Sequence, residues 1–182
     1  MGTTFDAKMG IASIWITSFV CLICVSLSLW VHGNLLEDNL LLKVALSLLP
    51  CFVVFYLFLT RVKSYELSEE FLTIDRGILK VRVSIEDIAQ VEKPYVEATK
   101  LKRRFGNGGC FSFTGSFSHK KLGKFQAYFT KLENAVLLRF KDEKKTPIMI
   151  SPENEAKFLD EISRLLDSRS SDGFAKSQAT TD

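Results

Sequence analysis

Two long apolar runs stand near the N-terminus, and after them polar and apolar residues alternate over short distances. The first run, Ile11–Val31, holds 21 residues without a charge. As a helix rising about 1.5 Å per residue, it spans roughly the 30 Å hydrocarbon core of a bilayer. The second run, Val44–Thr60, reaches a similar length when it is counted from Leu40. The pattern predicts two transmembrane helices, at about 11–31 and 40–60.

Two residues interrupt the second run, Lys43 near its start and Pro50 near its middle. A lysine costs about 2.5 to 3.5 kcal/mol at the centre of a membrane helix, but one a turn from the end can extend its ammonium to the headgroups. Lys43 is therefore interpreted as an interface residue, and a functional charge inside the membrane is the alternative.

The residues around the two runs indicate how they are inserted. The link between them, residues 32–39, is short and carries two acids but no Lys or Arg, which predicts a tight helical hairpin. Lys8 precedes the first run, and Arg61 and Lys63 follow the second. By the positive-inside rule we expect both ends of the hairpin, and so both termini, in the cytoplasm.

From about Lys63 onward the period becomes that of short strands. Residues 65–68 and 71–75 are separated by a Glu-Glu turn, and apolar and basic residues then alternate over 78–83, which predicts an antiparallel meander. A short helical turn is expected at 84–88. Further strands are predicted at 89–92, 96–101, 110–117, 125–130, 135–140 and 146–150. Strands at this spacing favour a sandwich or a small barrel.

The last element has the pattern of an amphipathic helix. Its start is predicted at Ser151-Pro152-Glu153, which supplies a capping hydroxyl, a proline for the first helical position and an acid for the first turn. We expect this helix to close one end of a barrel through an apolar stripe at helical spacing. The stripe consists of Phe158, Leu159, Ile162, Leu165 and Leu166.

These patterns divide the chain into three parts. A transmembrane hairpin is predicted at 1–62 and a folded soluble domain at 63–167. The remainder, 168–182, is rich in Ser, Thr, Asp, Lys and Gln, with one large apolar residue. Such a composition buries too little apolar surface to fold, so this tail is predicted to be disordered.

The formal net charge is only +3, but the basic residues are unevenly placed. Between Glu97 and Lys131 there are eight Lys or Arg and one acid, and they flank a glycine-rich stretch. One hypothesis is a loop whose bare N–H groups hold an anion with help from Arg103 and Arg104; the alternative is a set of bulges and turns that let a barrel bend. The same groups could face an anionic lipid surface, and an ordinary solvated surface is the alternative. The candidate contacts for an anion or a lipid are Lys100, Lys102, Arg103, Arg104, Gly106, Gly108, Gly109, Lys120, Lys121 and Lys124.

No set of residues typical of a catalytic or metal site emerges from the sequence. The four cysteines and two histidines lack metal-ligand spacing, and no recognisable base accompanies a Ser or Cys nucleophile. We therefore expect no enzymatic activity, no cofactor and no metal. Aromatic residues crowd the basic region, where core packing is the preferred interpretation and stacking on nucleic-acid bases the competing one. A protein held at a membrane has poor access to such polymers, so no nucleic-acid partner is expected.

Several short motifs of the soluble part carry a family resemblance. They are Arg103-Arg104-Phe105-Gly106-Asn107-Gly108-Gly109, Gly115, Leu122-Gly123-Lys124-Phe125, Tyr128-Phe129-Thr130, Asn134-Ala135-Val136-Leu137, and Ile150-Ser151-Pro152 before a helix. Together with the strand meander, they resemble a bacterial pleckstrin-homology-like (PH-like) domain, a kind of domain that is often joined to a pair of membrane helices.

The resemblance implies an α+β protein in which an N-terminal transmembrane helical hairpin precedes a seven-stranded, strongly bent antiparallel β-barrel capped by a C-terminal α-helix. It also implies the inner (plasma) membrane of a bacterium. It implies no reaction. The phosphoinositide-binding loop of eukaryotic members cannot be transferred, because Ser68-Glu69-Glu70 is acidic where that basic loop would lie.

Two functions follow as expectations. The first is a non-enzymatic, membrane-anchored protein that presents its cytoplasmic PH-like domain to an unknown protein partner at the inner membrane surface. The alternative is a sensor or binder of an anionic small ligand or lipid headgroup through the basic, glycine-rich segment. A third and weaker hypothesis is an accessory subunit of a transporter or secretion complex, in which Lys43 and Pro50 would be interhelical features.

Overall fold

The computed structural model describes residues 2–34, 40–96 and 100–178. Two apolar helices are followed by a sheet-rich domain with a C-terminal helix, which confirms the predicted fold class. The helices are α1 (Ile11–Asn34), α2 (Leu40–Leu59) and α3 (Glu155–Gln178). The strands are β1 (Thr3–Asp6), β2 (Ser64–Leu67), β3 (Phe71–Arg76), β4 (Leu79–Ser84), β5 (Ile88–Glu92), β6 (Leu101–Gly108), β7 (Phe113–His119), β8 (Gly123–Phe129), β9 (Val136–Phe140) and β10 (Ile148–Ile150).

Both N-terminal helices have the length and the surface of membrane spans. The apolar segments Ile11–Gly33 and Leu40–Leu59 have mean hydropathies of 2.2 and 2.3, and hardly any of either is buried. Soluble proteins rarely expose apolar surface of this extent, so the two helices are candidate membrane-spanning segments. They pack against each other. The predicted tight reversal falls mainly on residues 35–39, which lie outside the described residues.

Strand β1 was not predicted from the sequence, and it joins the two flanks of the helical hairpin. It precedes α1, yet it pairs antiparallel with β2, which follows α2, and Phe5 lies opposite Tyr65. The Ala7 N–H also donates to the Lys63 carbonyl over 2.9 Å. The folded domain therefore includes residues from both sides of the hairpin, and the predicted boundary between 62 and 63 leaves one strand out.

The strands form two sheets. The four-stranded sheet has the order β1-β2-β3-β4, and the six-stranded sheet has the order β5-β9-β10-β8-β7-β6. The expected barrel does not form, because the two sheets do not close on each other. The expectation of a wholly antiparallel barrel also fails at one place, since β10 runs parallel to β8.

The central strands β9 and β10 of the six-stranded sheet are buried on both faces. Alternate residues of β9 enter different clusters: Val136 and Leu138 pack with the four-stranded sheet and α3, whereas Leu137 packs with phenylalanines of β7 and β8. The second cluster consists of Phe117, Phe125, Ala127, Phe129, Ala135, Leu137 and Met149. Most of the aromatic residues in the basic region are thus core residues, as the preferred interpretation held.

The segment before α3 differs from the predicted helix start. Asn154 caps the helix, since its Oδ1 accepts from the Lys157 N–H over 3.2 Å. The Ser151 hydroxyl instead accepts the Thr130 N–H over 2.9 Å and so joins β10 to the end of β8. The predicted start was wrong because the hydroxyl satisfies a buried amide of another strand.

The predicted apolar stripe of α3 is confirmed, because Phe158 and Ile162 are fully buried against both sheets. The helix continues to Gln178, beyond the predicted start of the disordered tail at Ser168. Arg169 stabilises the helical turn that follows Ser168, because its guanidinium forms an ion pair with Glu86 and donates to the Glu69 carbonyl.

Candidate functional site

The loop between β6 and β7, residues 109–112, joins the domain to both membrane helices. The Phe111 N–H donates to Thr17 Oγ1 of α1 over 2.8 Å, and the Phe111 ring meets the Phe58 ring of α2 edge-on at 5.4 Å. Phe111 has a φ of 63°, a backbone region that a bulky residue seldom adopts without being held there by its neighbours. The hairpin is therefore anchored to the domain at a defined point.

Two further contacts fix the helix ends. The buried Ser13 hydroxyl of α1 donates to the Thr130 carbonyl over 3.1 Å. At the other helix, the Ile78 N–H in the β3–β4 turn lies 3.3 Å from the Leu59 carbonyl. Gly77 precedes it with a φ of 72°, and a Cβ there would overlap that same carbonyl oxygen. These contacts leave little freedom for the domain to turn beneath its anchor.

The predicted contact residues lie on different faces of the β6–β7–β8 sheet. In the strand register Lys102 lies opposite Ser118, which lies opposite Lys124, so these three share one face. Arg103 lies opposite Phe117, whose side chain is buried on the other face. Lys100 precedes β6, Arg104 lies where the β6–β7 register shifts, and Lys120 and Lys121 lie in the β7–β8 turn.

The glycines of the predicted anion loop have a conformational role in this fold. Gly106 pairs with Gly115 across β6 and β7, with φ values of 110° and 122°. A Cβ on either would overlap a backbone oxygen of the opposite strand. The run is therefore a strand and not a loop, and the strand predicted at 96–101 was misplaced, since β6 begins at Leu101. Gly109, with a φ of 118°, packs against Ile16 of α1.

Phe105 is an exception among the aromatic residues of this region. It lies on β6 opposite Ser116, on the face that carries Lys102 and Lys124, and 81% of its surface is exposed. We call this surface, formed by Lys102, Phe105, Ser116, Ser118 and Lys124, the outer face. Phe105 departs from the core packing predicted for these aromatic residues, because the register shift between Arg103 and Phe105 turns its side chain to the outer face.

A groove lies between the first turns of α1 and the face of β6 and β7 that is opposite to the outer face. Its volume is about 1060 Å³. The α1 wall is formed by Gly10, Ile11, Ala12 and Ile16. The remaining lining residues are Lys93, Pro94, Tyr95, Val96, Leu101, Arg103, Gly108, Phe113, Phe117, Thr130, Lys131, Leu132 and Glu133. Only Arg103 and Gly108 of the predicted contacts belong to it, and apart from Leu101 the other lining residues come from segments 10–16, 93–96, 113–117 and 130–133.

The groove has an apolar floor and a charged margin, which carries three basic residues, Lys93, Arg103 and Lys131, and one acid, Glu133. In this floor, Phe113 stacks on Phe129 with 4.9 Å between ring centroids. Lys93 forms an ion pair with Glu155 at 3.0 Å. Within the part of the chain that the structure describes, no carboxylate lies within ion-pair distance of Arg103 or Lys131. Two cationic side chains are thus left to interact with a ligand.

Two titratable side chains near this region, Cys110 and His119, are buried. Burial raises the pKa of the Cys110 thiol, and the Thr17 hydroxyl opposes this only in part. His119 is buried, and its Nδ1 accepts the Lys121 N–H over 3.3 Å. Among residues 2–34, 40–96 and 100–178, no group of three or more His, Cys, Asp or Glu could hold a metal ion.

Comparison with known proteins gives one match. The family model described as a bacterial PH domain matches residues 63–166, which is more than half of the 182-residue chain. The match begins at the residue after Val62 and so covers the sheets from β2 onward and the first half of α3, but neither the helical hairpin nor β1. No curated protein and no solved structure matches the chain.

Proposed function

This chain belongs to the bacterial PH domain family, and on that premise we propose that it is a non-enzymatic protein that presents its domain to a protein partner at the inner surface of the plasma membrane. The two apolar helices and the PH-like domain together fit a membrane-anchored interaction domain. The partner and the side of the membrane are the parts that we add.

The observation that carries the proposal is the exposure of Phe105 on the outer face. Buried aromatic anchors surrounded by polar groups are typical of protein interfaces. Phe105 stands among the hydroxyls of Ser116 and Ser118 and the ammonium groups of Lys102 and Lys124. The chemistry of this surface suits a partner with an apolar pocket and acidic residues around it.

The position of β6 adds a second recognition element. It is an edge strand of the six-stranded sheet, with β7 on one side and no strand of the described residues on the other. An exposed edge offers backbone donors and acceptors to an extended segment of another chain. Phe105 and this edge lie on the same strand, so a partner could engage both.

The joint at Phe111 supports presentation in a fixed orientation. The domain contacts α1 through Thr17 and Ser13 and contacts α2 through Phe58. A domain held in this way offers the same face to every partner, which reduces the orientational freedom that is lost on binding.

A photocrosslinking amino acid at position 105 of the full-length protein in intact membranes tests the proposal. We expect one discrete adduct with another protein. The matched control is position 71, a partly exposed phenylalanine on β3 of the other sheet, where no such adduct should form. Lys102→Glu with Lys124→Glu should reduce the adduct at 105. No adduct at 105, or the same adduct at 71, would contradict the proposed interface.

The cytoplasmic location of both termini is supported by charge and by pairing. Lys8, Arg61 and Lys63 flank the hairpin, and positive flanks remain in the cytoplasm. β1 pairs with β2, and Lys8 forms an ion pair with Glu153 at 3.1 Å, so the two flanks belong to one folded unit. Reporters fused separately to each terminus should both be active only in the cytoplasm. A reporter active on the other side would refute the orientation.

A further inference from the structure

We infer that the groove between α1 and the β6–β7 hairpin is a binding site for a membrane phospholipid with an anionic headgroup. The site is distinct from the outer face, and it does not depend on the proposed protein partner. The sequence predicted that Arg103 and its neighbours in sequence contact an anion. In the groove, Arg103 would instead contact the anion together with Lys131.

The position of the groove identifies a lipid as its occupant. Ile11 is the first residue of the first candidate membrane span, and Ile11, Ala12 and Ile16 form the α1 wall. The groove therefore lies at the depth where headgroups meet acyl chains. Because the hydrogen bonds of Ser13 and Thr17 hold α1 against the domain, the wall is preformed and continuous with the bilayer.

The chemistry of the lining fits an amphiphile. The apolar lining of Ile16, Phe113 and Phe117 suits the start of an acyl chain, and Arg103 and Lys131 suit a phosphate. Ligand pockets in proteins usually have volumes of about 300–1000 Å³, and this groove, at about 1060 Å³, is slightly larger than that range. An inorganic anion would leave most of the apolar wall uncovered.

Gly108 helps to place Arg103 at the groove. The Arg103 side chain packs across Gly108, where a Cβ would lie 2.9 Å from Nη1. Its Nη1 also lies 3.5 Å from the Gly106 carbonyl oxygen. The glycine thus leaves room for the guanidinium along β6, which keeps this cation beside the apolar floor.

Native mass spectrometry of the full-length protein in detergent tests the site. The protein is titrated with phosphatidylglycerol, with phosphatidylcholine, and with glycerol 3-phosphate as the free headgroup. The test variant is Arg103→Gln with Lys131→Gln. The matched control is Lys102→Gln with Lys124→Gln, which removes two charges from the outer face of the same region. A third variant, Ala12→Phe, fills the groove from the α1 wall without changing any charge.

We expect one phosphatidylglycerol per chain, with phosphatidylcholine and glycerol 3-phosphate bound far more weakly. The Arg103 and Lys131 variant should bind about thirtyfold more weakly, since two basic groups near an anionic headgroup contribute roughly 1 kcal/mol each. Ala12→Phe should weaken binding as well, and the control should bind as the unaltered protein does.

Four results would each overturn the inference. Equal binding of phosphatidylcholine would remove the role of charge, and equal binding of glycerol 3-phosphate would point to a free anion instead of a lipid. Equal weakening in the Lys102 and Lys124 control would indicate general surface attraction. If the Arg103 and Lys131 variant does not fold, Ala12→Phe decides alone, and unchanged binding in that variant would rule out the groove.

Discussion

A fragment that begins at Lys63 keeps every residue matched by the family model but loses β1. In the intact chain, Phe5 of β1 is 4% exposed, and its ring meets the Phe158 ring of α3 edge-on at 5.2 Å. Asp6 adds a backbone contact, since its carbonyl accepts the Glu153 N–H over 3.0 Å. The fragment should therefore be destabilised even though its family-matched sequence is complete.

The size of the loss follows from Phe5. Truncating a buried phenylalanine costs about 3–5 kcal/mol, and an edge-on aromatic pair contributes about 0.5–1.5 kcal/mol of such a cost. The backbone hydrogen bonds of β1 are roughly offset by the entropy lost in ordering its four residues, at about 1–2 kcal/mol each. A loss of about 3–5 kcal/mol is a large share of the roughly 5–15 kcal/mol that stabilises a typical domain.

The assay compares the fragment 63–182 with a linked variant, in which residues 2–8 are joined by a short Gly-Ser linker to residues 62–182. The linker can be short because the Ala7 N–H and the Lys63 carbonyl are hydrogen-bonded. Both proteins lack α1 and α2, and they differ in residues 2–8, in Val62 and in the linker. Urea unfolding followed by near-ultraviolet circular dichroism should give the linked variant the higher free energy of unfolding by about 3–5 kcal/mol.

Phe5→Ala in the linked variant serves as the internal control. Because most of the loss is assigned to this side chain, the substitution should remove most of the difference between the two proteins. The reasoning is refuted if fragment 63–182 unfolds within about 1 kcal/mol of the linked variant. It is equally refuted if Phe5→Ala leaves the linked variant unchanged, since β1 would then not be part of the folded unit.

The features that could be predicted from the sequence are those with long or strongly periodic patterns. The two apolar runs correspond to α1 and α2, and the stripe that includes Phe158 and Ile162 corresponds to the buried side of α3. The family assignment was also correct. In each case the signal extends over many residues, so a local exception such as Pro50 within α2 does not erase it.

β1 could not be predicted because its pattern is too short. Thr3–Asp6 places one fully buried residue, Phe5, among polar neighbours, and its partner strand lies beyond the whole helical hairpin. Ser151 shows a related difficulty. Its hydroxyl had the pattern of a helix cap, but the native fold gives it the amide of Thr130, a partner that only the tertiary structure brings near.

The candidate site shows why charge density along the chain is a poor guide to a surface. Lys102 and Arg103 are adjacent in sequence, but successive residues of a strand point to opposite faces, so one joins the outer face and the other the groove. Lys131, from the segment after β8, lies at the groove with Arg103. The groove therefore depends on the docking of α1 against the domain, which no local pattern encodes.

Two further substitutions test the domain itself. Gly115→Ala should destabilise it by about 2–6 kcal/mol, because the left-handed backbone strain and the overlap with the Phe105 carbonyl each cost about 1–3 kcal/mol. Gly123→Ala is the matched control, because Gly123 has a φ of 75° but open space around it. This substitution should cost only about 1–2 kcal/mol. If thermal unfolding gives the same cost for Gly115→Ala and Gly123→Ala, the close approach of β6 and β7 at Gly115 is contradicted. Tyr65→Phe should cost about 1–3 kcal/mol at neutral pH, because the Tyr128 carbonyl and the Ser151 N–H lose their buried partner. Burial raises the pKa of Tyr65 from 10 to about 12, so the unfolded chain loses this proton first as the pH rises. The stability contributed by the neutral phenol is complete below pH 10 and declines as the pH rises to about 12, and Tyr65→Phe should lack this part of the alkaline decline. If the free energies of unfolding of the unaltered protein and of Tyr65→Phe fall in parallel between pH 9 and 12, the Tyr65 phenol does not contribute to the pH dependence of stability.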